Sequence, residues 1–150
     1  MEYSRRAERR GRGIRGPILP PEVPRWTSRP AEFDQAVLDA YAPIHEQWSD
    51  ELDHLDIALD TVPRMRSRHI TSEWPDEVVA DGAVPLGRLI PAGVDDDGRP
   101  TRPRIVVFRR PIEMRTHNVA ERSDLLHYII VKLVATYLNV ETRTIDPEVE

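Results

Sequence analysis

Apolar positions first fall at helical spacing in PAEFDQAVLDAY, where Phe33, Val37, Leu38 and Tyr41 follow Ser28. Residues three and four apart share a helix face, so this spacing predicts an amphipathic helix with Ser28 as its cap. Pro43 lacks an N–H and its ring collides with the preceding turn. A break is expected there, and then a second helical turn, PIHEQWSDEL, with Ile44, Trp48 and Leu52 inward. The period next changes to two: in HLDIALDTV, Leu55, Ile57 and Leu59 face one way and Asp56, Ala58 and Asp60 the other, as in a half-buried strand. From Pro63 to Asp81 the pattern weakens to a loop, with a short helix around Pro75 to Val79. VPLGRLIPAG is a second strand, DDDGRPTRP a turn, and RIVVFRRP a third strand with Val106 and Phe108 opposite Ile105 and Val107. PIEMR forms a short helical turn. The last helix is predicted from Asn118 or Ser123 to Leu138, with Asn139 as a left-handed stop. Leu126, Ile130, Leu133, Val134, Tyr137 and Leu138 gather on its broad face, and Tyr128, Lys132, Thr136 and Asn139 line the opposite one.

These elements predict an α+β fold. Residues 28–150 form a single compact domain, with a small mixed sheet of three to four strands packed by an N-terminal helix and a long C-terminal helix. The 150 residues suffice for one real core. With 39% hydrophobic and 31% charged residues, the chain has an ordinary globular composition. Its longest apolar run, Tyr128 to Val131, is far short of the roughly 20 residues of a membrane span. The basic N-terminus has no apolar stretch behind it, which argues against a secretory signal. Zero cysteines exclude disulfides, Cys-ligated zinc and a thiol nucleophile. A cytoplasmic location is the expectation.

Charge separates the two ends of the chain. Residues 1–30 carry eight Arg and three Glu, whereas the remainder is strongly acidic within a net charge of −5. The acidic body is not expected to bind nucleic acid unaided. Residues 1–27 read as an arm, Arg-rich and flexible at first and then extended and Pro-rich. Arg5, Arg6, Arg9, Arg10, Arg12 and Arg15 are candidates for neutralising phosphates of a nucleic acid or ribosome. They are equally candidates for an acidic protein or membrane surface, or for the acidic body itself. Ile18, Leu19, Val23 and Trp26 suggest that the arm's second half docks on the domain.

Conventional catalytic patterns are sparse. His45-Glu46 begins a metallopeptidase-like pair, but position 49 is Ser49. Asp95, Asp96, Asp97 and Gly98 have the composition of a calcium loop without its spacing, and read better as a hairpin turn. Asp53, His54 and Asp56 sit at a helix-to-strand junction, where turn and cap roles prevail. His127 lies about 140° around the last helix from Lys132, on the 100° per residue of helical geometry, and reads as an edge residue. Arg109, beside Arg110 and Pro111, is a candidate anion contact or a solvated strand end.

The strand residues Ile105, Val107, Phe108, Arg109, Pro111 and Ile112, followed by the helix ending LVATYLNVETRTIDP, resemble the small bacterial zincin-like metallopeptidase family. The resemblance spans roughly residues 31–146. It implies a zinc-bearing helix of the HExxHxxGxxD type. Aligned through the helix end, the two ligand histidines fall on Lys132 and Thr136, and the general-base glutamate on Leu133. The glycine falls on Asn139 and the acidic ligand on Thr142. A charged ammonium has no lone pair, and a threonine hydroxyl is a poor zinc ligand beside imidazole. The resemblance therefore implies a divergent member with a degenerate motif: no metal ligand, no zinc and no catalytic residue. A non-catalytic binding or assembly module with a protein partner is the expected function. A metallopeptidase with unrecognised ligands and a nucleic-acid- or ribosome-associated factor tethered through residues 5–15 are the alternatives.

Overall fold

The structure, a computed structural model, describes residues 29–63 and 73–149. The arginine-rich arm, including Arg5, Arg6, Arg9, Arg10, Arg12 and Arg15, lies outside the described residues, as does His69. The fold is α+β as the patterning predicts: a four-stranded mixed sheet, a separate two-stranded ribbon and helices that include a long N-terminal and a long C-terminal one.

Helix α1 (Arg29–Gln47) turns Phe33, Val37, Tyr41 and Ile44 into the core. It does not break at Pro43 as expected, but continues to Gln47. Pro43 and Asp39, whose carbonyl loses its partner, are both exposed, so water can take over the missing bond. Tyr41 and Ile44 meanwhile hold the last turn against the core. The change of direction comes at Trp48, and α2 (Ser49–Leu52) buries Leu52.

The sheet order is β1-β6-β3-β2. Strand β1 (Asp56–Asp60) lies parallel to β6 (Arg104–Phe108), and β3 (Val84–Ile90) lies antiparallel to both β6 and β2 (Val78–Asp81). As an edge strand, β1 is only partly covered. Leu55 and Ile57 reach the core, but Leu59, expected on the same inward face, is 39% exposed. Where a short helix is expected around Pro75 to Val79, the chain makes a turn and enters β2. The Asp81-Gly82 pair explains this, because Gly82 (φ +60°) opens a two-residue hairpin loop of the kind that favours a positive φ. A register shift pairs Ala80 with Pro85 and leaves Leu86 without an opposite number, next to Pro85, which has no N–H to give. The acidic turn is a hairpin, joining β4 (Gly93–Val94) to β5 (Pro100–Thr101). There, Asp95 accepts from the backbone N–H of Asp97 and Arg99, both at 2.9 Å.

After β6 comes α3 (Arg109–Glu113), which starts two residues before the predicted PIEMR turn. Then α4 (Val119–Leu138) lies across the sheet. Asn118 caps it by accepting from the Glu121 N–H at 2.8 Å, while the Glu121 carboxylate accepts from the His117 N–H. Asn139 ends it at φ 59°, ψ 46°, the predicted left-handed stop. Its buried set is broader than one stripe: Ile129, Val131 and Ala135 join Leu126, Ile130, Leu133 and Val134. The reason is that α4 is held from several sides, by the sheet, α1 and α5 (Thr142–Ile145). Leu126, Ile129, Ile130 and Leu133 are fully buried, and each contributes about 1.5–3 kcal/mol by leaving water.

Candidate functional site: the groove between the sheet edge and the last helix

The polar side of α4 borders a groove. Tyr128, Lys132, Ala135 and Thr136 form one wall of a groove of about 920 Å³. Trp74, Pro75, Asp76 and the edge strand β2 from Val78 to Ala80 form the other. Val140, Glu141, Thr142, Arg143 and Pro147 close one end. A second hollow of about 630 Å³ shares Pro75, Val78 and Thr136 with it, and is bounded by Arg88 and Pro103.

Two local features build this shape. Gly87 lets α4 approach the sheet, since a Cβ there would lie 2.8 Å from Ile129 Cγ2. The Gly82 hairpin ends β2 and is tied by Trp74, whose indole N–H donates to the Gly82 carbonyl at 2.8 Å. As the last strand of the sheet, β2 pairs only with β3 among the described residues, so its other edge borders the groove.

Lys132 is half-buried, with Nζ 5.6 Å from the centroid of the Tyr128 ring, within cation–π range. It makes no ion pair among the described residues. The groove's other cation, Arg143, is shared with Glu141 at 3.2 Å. The Thr136 hydroxyl is within reach of the carbonyls of Lys132 (3.0 Å) and Asp76 (3.3 Å), the second contact tying α4 to the turn before β2.

Of the five positions singled out by the sequence, three converge here: Lys132, Thr136 and Thr142. Leu133 is fully buried and points to β3, and Asn139 is spent on ending the helix. Arg109 lies elsewhere, half-buried at the start of α3 and paired with Glu113 at 2.9 Å rather than solvated. His127 is half-buried at the helix edge and meets Asp146 at 2.5 Å, clipping the segment after α5 to α4. The Glu148 backbone N–H and then His127 hold the Asp146 carboxyl below the usual aspartate range. The sequence reading missed the β2 wall, although Asp81-Gly82 carried a hairpin signal.

The donor set does not suit zinc. Lys132 offers an ammonium, Thr136 and Thr142 offer hydroxyls, and no base stands at Leu133. Among the described residues, no three His, Asp or Glu side chains gather closely enough to hold a metal. The chain matches no protein-family model and no curated protein. What the geometry offers is a preformed cleft, a strand edge unpaired among the described residues and an amphipathic cation. No described helix is long and apolar enough to cross a membrane.

Proposed function

We propose that this protein is a non-catalytic binding module of zincin-like ancestry that takes an extended segment of a protein partner into the groove between β2 and α4. The observation that carries this reading is the convergence of Lys132, Thr136 and Thr142 on a groove beside a strand edge that is unpaired among the described residues. An extended peptide can add to such an edge through main-chain hydrogen bonds, which need no metal. Lys132 then supplies a fixed positive charge where the resemblance places a metal ligand, and it favours a carboxylate on the bound segment.

Selection from a random peptide library tests this with full-length protein, Lys132→Met, and Thr136→Arg, which fills the groove. Peptides enriched on the wild type are expected to carry an acidic group. They should bind Lys132→Met about tenfold or more weakly, the loss of one charge-assisted contact, and fail to bind Thr136→Arg. Equal enrichment on wild type and Thr136→Arg removes the reading.

A further inference from the structure

We infer that the groove takes the C-terminal end of a partner chain, with its α-carboxylate on Lys132; this rests on the peptide-binding reading of that groove. Backbone groups along β2 alternate between facing β3 and facing the groove. Glu77 faces β3, because its carbonyl accepts from the Leu89 N–H at 2.7 Å. Val79, paired with Gly87, and Asp81, paired with Val84 across the hairpin loop, face it as well. The register shift adds its extra residue, Leu86, to β3, so β2 keeps its alternation. Val78 and Ala80 therefore turn their N–H and C=O groups away from β3. The Val78 N–H is already used, since it donates to the Pro75 carbonyl at 2.9 Å. The edge thus offers a donor and an acceptor at Ala80, but only an acceptor at Val78.

That broken ladder selects one kind of residue. In an antiparallel strand added to β2, the residue opposite Ala80 exchanges both bonds. The residue opposite Val78 gives its N–H but finds no donor for its own carbonyl. An internal residue would leave that carbonyl unpaired, whereas a C-terminal residue carries a carboxylate there. Lys132 stands at this level of the groove. Before it on α4, Ile129 packs against Gly87, the partner of Val79; after it, the Thr136 hydroxyl lies 3.3 Å from the Asp76 carbonyl. Its ammonium makes no ion pair among the described residues. The nearby acidic residues do not cancel it, since Glu141 is shared with Arg143 and Asp76 is exposed. Chain direction agrees: an antiparallel strand runs towards Pro75 and Asp76, where the Thr136–Asp76 contact joins the two walls and leaves no path onward.

Arrays of random peptides with free C-termini test this on the full-length protein. Sequences that bind should weaken about tenfold or more when the C-terminus is amidated or extended by a glycine-serine tail, the loss of one charge-assisted contact. On Lys132→Met, the acid and amide forms should bind alike. Binding that is indifferent to amidation but lost on Thr136→Arg overturns the inference and leaves the groove reading standing. An amidation penalty undiminished on Lys132→Met also overturns it. Binding that survives Thr136→Arg, or no binding from any array, overturns both.

Discussion

Gly87→Ala is the sharpest test of the packing that sets the groove. The added Cβ would sit 2.8 Å from Ile129 Cγ2, 3.3 Å from Leu133 Cδ1 and 3.3 Å from the Val106 carbonyl oxygen. The first contact lies inside van der Waals range, and the methyl involved belongs to a fully buried, β-branched side chain with little rotamer freedom. Relief therefore requires α4 to move away from β3. Overpacking of this kind costs about 1–3 kcal/mol. Alanine also restricts the unfolded chain, which returns about 0.4–1 kcal/mol. The overpacking cost is the larger, for a net destabilisation on the order of 1–2 kcal/mol, or about 2–8 °C in a domain of this size. Urea unfolding followed by circular dichroism measures it as a lower midpoint at unchanged slope. Ile129→Leu is the specific rescue, because it moves the branch from Cβ to Cγ at constant volume. The double variant should regain about 1 kcal/mol relative to the sum of the singles. A stable Gly87→Ala, or strict additivity with Ile129→Leu, would refute the reasoning.

Tyr41 is 8% exposed and its hydroxyl has no partner among the described residues; burial first, then Tyr137 and Asp56, push its pKa up to about 12. The raised value makes wild-type stability complete below the ordinary pH 10 and lost as pH rises towards 12, by at most about 2–3 kcal/mol. Tyr41→Phe should lack that alkaline loss and equal or exceed wild-type stability at pH 7 by up to about 1 kcal/mol, read by urea unfolding across pH. Asp146 has a lowered pKa, so its contribution is complete above the ordinary value of 3.8 and disappears as pH falls through the folded-state value. Acid unfolding of Asp146→Asn should therefore show a shallower stability loss below about pH 4 than wild type, and identical acid limbs would count against the His127–Asp146 clip. Protein purified from zinc-supplemented culture should contain substoichiometric zinc by elemental analysis, and one zinc per chain would overturn the non-catalytic reading.

How much of this was legible before the structure depended on whether a segment's partners lie near it in the chain. The end of α4 could be read because Asn139 stops a helix through its own backbone. The hairpin at Asp95 was legible for the same reason, since its side chain bonds within four residues. Pro43 misled because the break it threatens depends on whether the orphaned carbonyl is buried or wet, a tertiary matter. Leu59 misled because alternation shows which residues share a face, and not how far that face is covered. Strand β2 was missed because Val78–Asp81 is too short to show a period and is recruited by pairing with β3. For the site, the sequence identified Lys132, Thr136 and Thr142 as one group, but the opposite wall comes from residues about 60 positions earlier, as the Thr136–Asp76 contact shows.

The burial of α4 also bears on what Lys132 can do. The sheet, α1 and α5 fix the helix on its other sides, and the Gly87 contact sets its height above β3. The lysine stem is therefore held where the backbone puts it, with Tyr128 one turn before it and Thr136 one turn after. A cation that rests on an aromatic ring and pairs with no described carboxylate contributes little to folding, on the order of 0.5–1 kcal/mol. Its rotamer freedom is already reduced, so a partner carboxylate has less ordering to impose than it would on a free surface lysine. Replacing Lys132 should consequently act on binding far more than on stability. That asymmetry separates a recognition residue from one that merely reaches for water.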